Sequence, residues 1–225
     1  MSLPNYNAVP PVSNDTIRQQ LPNGTHTARL IKIIDLGTQE LTFKNDDGSD
    51  KLPERQFVLT FETPTQKAVF KTENGSQPFL ISKTMAFKIS SEEATNISTL
   101  TKVFKATKGN LKDKNIFSLL GELLAITTEE NKKGYAQIVN FTALSNDLDK
   151  NSEKFEQVNE SQALYLEADI DYDLLNTLPK FLVDKIVVSP EYAKAKAKEK
   201  QAGKVEAGEL PVIDIDSITN VKMPF

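Results

Sequence analysis

A chain with a single histidine, His26, and no cysteine has few routes to nucleophilic or metal chemistry. A Ser–His–Asp relay could be built only on His26, and a His/Cys zinc site cannot be assembled. The acids are scattered, without a recognisable catalytic pair, so we expect no enzyme, no metal site and no cofactor. The residues do offer contacts to a polyanion. Arg29, Lys32, Arg55, Lys83 and Lys88 each stand in a segment otherwise rich in apolar residues, where a charge needs a reason. Lys132 and Lys133 lie just before Tyr135. Cations in such places can track phosphates, and aromatic faces can stack on bases at about 1–3 kcal/mol per base. The ordinary alternative for each cation is a solvated outer strand face. Most phenylalanines on strands are core residues. Tyr135 is the best-placed stacking ring, and Phe57 shares a strand face with Arg55.

These residues need a scaffold. Residues 27–36 (TARLIKIIDL) are rich in β-branched residues and read as a strand from the Asn23-Gly24 turn to Gly37, apolar on both faces. Arg29 and Lys32 differ in parity, so one face cannot carry both without a bulge. Residues 55–62 alternate, with Phe57, Leu59 and Phe61 on one side. Residues 79–89 make a third strand. A helix follows, with Ser90 or Ser91 as cap, Glu92 and Glu93 in its first turn, and Ala94, Ile97, Leu100, Val103 and Phe104 on its apolar face. Gly109 closes it. Residues 115–121 suggest a helical turn. Residues 123–129 and 135–144 form a hairpin about the Asn131–Gly134 turn. Lys102, Lys105, Lys108, Lys112 and Lys114 make a basic run that a solvated helix face would explain. Gly37 and Gly109 match no phosphate-binding loop. Asp35 beside Gly37 reads as a turn cap rather than a metal ligand, and His26 as a surface residue.

Three strands, a helix and a two-strand hairpin match the order of an OB-type barrel. The fold class expected is therefore mainly β. A five-stranded OB-type barrel spans residues 25–145, with its helix between strands 3 and 4. An extended, proline-rich arm precedes it in residues 1–24. Residues 146–200 read as a polar linker and a helical extension broken at Pro179, and residues 201–225 as a flexible acidic tail. The chain's net charge of −4 is unevenly placed. Residues 1–150 carry 18 cations against 17 acids, whereas residues 151–225 carry 9 against 14. No run approaches the roughly 18 apolar residues of a membrane helix, and residues 1–11 do not pattern as a secretory signal. A chain free of cysteine fits a reducing cytoplasm.

Several blocks resemble one family. TARLIKIIDLGTQ, RQFVLTFE, PFLISKTMAFKISSEEA, NIFSLLGELLAITTEENKKGYAQIVNFTAL and YDLLNTLPKFLVDKIVVSPEY, in this order, are similar to the OB-fold single-stranded DNA-binding proteins of tailed bacteriophages. The resemblance covers roughly residues 22–195. The chain departs from it in lacking a Trp-Arg-Gly element after the helix, where residues 105–109 read KATKG. The resemblance implies sequence-tolerant coating of single-stranded DNA during phage replication or recombination, in the bacterial host cytoplasm. The residues expected at the DNA are Arg29, Lys32, Arg55, Phe57, Lys83, Lys88, Lys132, Lys133 and Tyr135. The end of the chain resembles the tip of bacterial single-stranded DNA-binding proteins, with Asp214 and Asp216 before a terminal Pro224-Phe225. Such a tail can offer one aromatic anchor and a carboxylate to a replication or recombination protein. The rival expectation is a structural or protein-interaction phage component on the same barrel. Monomer and dimer both remain open.

Overall fold

Between Ala28 and Gly37 every residue of strand β1 (Gly24–Gln39) is buried except Arg29 and Lys32, which are half-buried. A strand buried on both faces is central in its sheet. In the computed structural model, which describes residues 20–42, 44–68, 76–89, 98–107, 114–145 and 155–206, β1 indeed lies in the middle. The fold is mainly β. One six-stranded sheet runs in the order β3 (Gln77–Ala86), β2 (Glu54–Ala68), β1, β4 (Leu123–Glu130), β5 (Ala136–Thr142), and β6 (Gln162–Leu164) also pairs with β1. β1 pairs antiparallel with β4 from Gly24↔Thr128 to Arg29↔Leu123. β4 pairs antiparallel with β5, with a register shift between Thr127 and Thr128. Among the described residues the helices are α1 (Leu100–Ala106), α2 (Tyr172–Thr177), α3 (Lys180–Val187) and α4 (Pro190–Glu206), and a 3-10 turn spans Ile116–Leu119.

Two compact units emerge from the chain, Met1–Ile33 with Val58–Gln162 and Ile34–Phe57 with Ala163–Phe225. The first has a core of Leu30, Leu59, Phe61, Met85, Phe104 and Ile126, each fully buried. Phe61 of β2 and Phe141 of β5 meet there at 5.4 Å between ring centroids. The helix expected from Ser91 to Phe104 is not continuous. Thr99 is extended, at φ −108° and ψ 148°, and bridges to Ala86. The Ser98 carbonyl accepts the Ala86 amide, and the Lys88 carbonyl accepts both the amide and the hydroxyl of Thr101, so strand-like pairing holds Ser98 and Thr99 beside the end of β3. Ser90, Ser91, Glu92, Glu93, Ala94, Ile97 and Gly109 lie outside the described residues.

The second unit joins the ends of β1 and β2 to the helical extension. β1 does not stop at Gly37 as predicted. Gly37 has φ +69°, and a Cβ there would lie 2.5 Å from Ser189 Cβ, so only glycine allows the approach. Pro179 breaks the helices as expected, separating α2 from α3. The strand β6 was not legible, since three residues are too few for a periodic signal. Helix α4 runs on through Gly203 to Glu206, beyond the point where the composition suggests loss of order.

Glu191 at the start of α4 accepts the Thr38 amide at 2.8 Å and the Thr38 hydroxyl at 2.7 Å. Burial disfavours its charge, but these donors prevail and hold its pKa below the ordinary 4.5. The Glu167 carboxyl is also held below 4.5, chiefly by the Tyr165 hydroxyl and then by Arg55. A carboxyl that titrates lower in the folded state stabilises fully above its unfolded pKa, and the contribution is lost as pH falls through the lowered value. Urea unfolding should therefore show stability declining as pH drops below 4.5. Glu191→Gln should cost about 1 kcal/mol at neutral pH and flatten that decline. An unchanged acid limb in the variant would refute the assignment.

Candidate nucleic-acid interface

The turn between β4 and β5 is built by one side chain. Asn131 Oδ1 accepts the Lys133 amide at 2.8 Å and the Tyr135 amide at 3.1 Å. The Asn131 backbone closes the loop, its carbonyl accepting the Gly134 amide and its amide donating to Tyr135 O. Gly134 supplies the left-handed conformation at φ +79°. Gln20 clamps the turn from outside, donating to Gly134 O at 2.6 Å and accepting the Ala136 amide at 2.8 Å. Lys132 and Lys133 are exposed at this tip, and Tyr135 is 51% exposed. A half-exposed ring with its backbone fixed on both sides loses little freedom when something stacks on it. The exposed Glu129 and Glu130 precede the tip on opposite faces of β4, and the Glu130 carboxylate lies beside Gly134. Sequence reasoning found the lysines and the tyrosine. It placed the turn at Asn131–Gly134 but not the bracing by the Asn131 side chain, which an Asn opening a turn that ends in glycine signals, and it missed Gln20.

Lys83 joins this neighbourhood. Its ammonium donates to the Ile138 carbonyl at 2.8 Å, bridging β3 to β5 three residues along from Tyr135. Three strand residues span about 10 Å. Burial pushes the Lys83 pKa below its ordinary value. On β3 the residues Leu80, Ser82 and Thr84 are exposed, alternating with buried Ile81 and Met85. Lys88 follows β3 and is exposed, and Lys32 is half-buried.

The other expected contacts are engaged within the protein. Arg29 donates to the carbonyls of Gly121 and Phe155, each at 2.6 Å, and its Nε is buried. Arg55 lies against Asp35, with Nη2 2.5 Å from Oδ2 and Nε 3.2 Å from Oδ1, and it also pairs with Glu167. Asp35 is fully buried. Burial works against the Arg55 charge, but the Asp35 and Glu167 carboxylates outweigh it and raise its pKa. The guanidinium also stacks between Phe57 and Tyr165, at 5.6 Å and 5.4 Å from the ring centroids. Phe57 itself is 1% exposed, so it presents no face to a base. Asp35 lies within β1 rather than at a turn; it accepts the Gly37 amide at 2.9 Å and the Leu166 amide as well. His26 is buried rather than on the surface, with Nε2 2.8 Å from the Pro22 carbonyl.

One face of β2 is closed. Glu62 is 0% exposed and accepts the amides of Val158 and Asn159 and the Asn159 side-chain amide at 2.6–2.9 Å. Residues 155–159, expected as a free polar linker, are thus pinned against β2 by Glu62 and against β1 by Arg29. The β1–β2 connection, residues 40–53, carries four acids against Lys44 and Lys51. Lys44 is paired with Asp50 at 3.7 Å. That loop is a poor phosphate surface.

No family model matches the chain, and no curated protein matches it. The candidate interface is argued from its geometry alone. Among the described residues, no group of three or more His, Asp or Glu is placed to hold a metal ion, and no helix is long and apolar enough to cross a membrane. Asp214, Asp216, Pro224 and Phe225 lie outside the described residues.

Proposed function

We propose that the chain binds single-stranded DNA, without catalysis and with little sequence preference, through the β4–β5 turn and the adjoining side of β3. The observation that carries this reading is Tyr135, half-exposed and braced by Asn131 and Gln20 beside two exposed lysines. Stacking needs a ring with a free face, and backbone tracking needs cations within reach of it.

The same reading takes the sheet as an OB-type barrel. The order β3-β2-β1-β4-β5 leaves β3 and β5 as the ends of the path. The Lys83–Ile138 bond brings β3 against β5, and Phe61 of β2 meets Phe141 of β5 in the core between them. α1 falls between strands 3 and 4. In OB folds the strand 2–3 face and the loops after strands 1 and 4 take oligonucleotides. Here the second face of β2 holds a buried carboxylate under residues 155–159, and the loop after β1 is acidic. The polyanion is therefore assigned to the β4–β5 side. A role in phage replication or recombination, and a protein partner for the segment with Asp214, Asp216, Pro224 and Phe225, extend the proposal.

Titration of single- and double-stranded oligonucleotides against salt tests it. Binding should favour the single strand and weaken steeply as salt rises, because neutralised phosphates release counterions. If neither DNA binds at low salt, the chain is the structural or protein-interaction component instead.

A further inference from the structure

Helix α3 presents a stripe to solvent that no described residue of its own unit covers. Leu182 and Ile186 face inward, whereas Phe181 is 64% exposed and Val188, the C-cap residue, is 75% exposed. Between them on the same outer stripe stand Asp184 and Lys185, both exposed. Positions i, i+3, i+4 and i+7 lie on one helix face. Val187, 42% exposed, flanks it. Exposed apolar residues scattered singly need no explanation, but two or three sharing one helix face form a patch.

The order of the four residues selects a partner. In a two-fold contact, residue i meets j and residue j meets i. An antiparallel pair of α3 helices centred between Asp184 and Lys185 puts Phe181 against the second copy's Val188. It also puts Asp184 against the second copy's Lys185. Both matches occur twice, once on each side of the axis. The stripe is thus complementary to itself in shape class and in charge. Lys180 reaches both Asp184 oxygens at 2.7 and 2.8 Å, so Asp184 shares itself between this exposed pair in its own helix and the Lys185 of the second copy.

We propose that this face of α3 pairs with the same face of a second copy of the chain. The inference is independent of nucleic-acid binding. Three apolar side chains fall well short of the ~800 Å² per partner of a standard stable interface. The association is accordingly weak and shows only at high protein concentration.

Sedimentation velocity of the full chain from about 20 µM to about 1 mM tests it. The weight-average sedimentation coefficient should rise with concentration for the unaltered protein. Asp184→Lys should place two lysines opposite two lysines and abolish the rise, as should Lys185→Asp by opposing acids. Mixing the two single variants should restore it, because each then meets its complement. The double variant D184K/K185D should also self-associate. Phe181→Asp should remain monomeric throughout. A flat profile for the unaltered chain overturns the proposal. So does self-association that survives the single reversals, which would assign it to another surface such as the C-terminal tail, or a mixture that stays monomeric.

Discussion

Asp35→Ala will destabilise the protein by about 3–5 kcal/mol, the usual consequence of removing one partner of a buried ion pair. The carboxylate is fully buried, and it receives the Arg55 guanidinium and the amides of Gly37 and Leu166. Its removal leaves a cation whose side chain is only 18% exposed, and it strands two backbone donors. Glu167 still faces Arg55, but from a position that is 52% exposed, where a charge is well solvated. Arg55→Ala should cost a similar amount by leaving Asp35 buried without its cation. Arg55→Lys should not restore it, because a point charge cannot reproduce the two-pronged contact. The double variant Asp35→Ala with Arg55→Met should recover much of the stability, since neither charge is then orphaned. Urea unfolding of the four variants measures these differences. A cost below about 1 kcal/mol for Asp35→Ala would show that the pair does not hold the second unit together. The result also bears on function. Arg55 sits in a strand where a phosphate contact is a natural expectation, yet its guanidinium is held by two carboxylates and lies against two rings. Weaker DNA binding in an Arg55 variant should track the unfolded fraction and should disappear at temperatures where the variant is fully folded.

The second large effect is expected at the β4–β5 turn. Tyr135→Ala should weaken single-stranded DNA binding by about 1–3 kcal/mol, roughly 5- to 150-fold, with no change in the salt slope. A stacked ring releases no counterions. Lys132→Ala and Lys133→Ala should each lower affinity and reduce the slope of log K against log salt by about 0.7 for every phosphate that is no longer neutralised. All three side chains are exposed, so none of these changes should move the unfolding midpoint appreciably. Fluorescence anisotropy with a labelled oligonucleotide at several salt concentrations separates the two classes. Full affinity in Tyr135→Ala, together with an unaltered slope in both lysine variants, would exclude this turn as the DNA-binding surface. Lys83 gives a further contrast. Its ammonium already donates to the Ile138 carbonyl, so Lys83→Ala should lower stability as well as affinity.

Much of the scaffold was legible because its signals are local. Runs of β-branched residues at 27–36 and alternation at 55–62 declare strands wherever they are placed. The Asn131–Gly134 turn is dictated by an Asn side chain two and four residues from its acceptor targets, and by one glycine with positive φ. Pro179 must separate two helices in any tertiary setting. The exposed candidates Lys132, Lys133 and Tyr135 belong to this class, since a hairpin tip is solvated by construction. Where a local rule failed, a distant partner was responsible. The helix expected from Ser91 yields at Thr99 to a bridge with Ala86, and β1 runs past Gly37 to pack beneath Ser189.

The fates of Arg29, Arg55, Phe57 and Glu62 could be decided only in three dimensions. A cation on a strand looks the same in sequence whether it awaits a phosphate or is held by the protein. Arg29 finds its carbonyls 92 and 126 positions away, and Arg55 finds Glu167 112 positions away. Glu62 is buried by amides 96 and 97 positions away. Periodicity sets which way a side chain points relative to its neighbours, but not whether its face meets water or another segment of chain. That depends on which part of the chain folds over the face, and the desolvation free energy that settles a charged residue's role depends on the same packing.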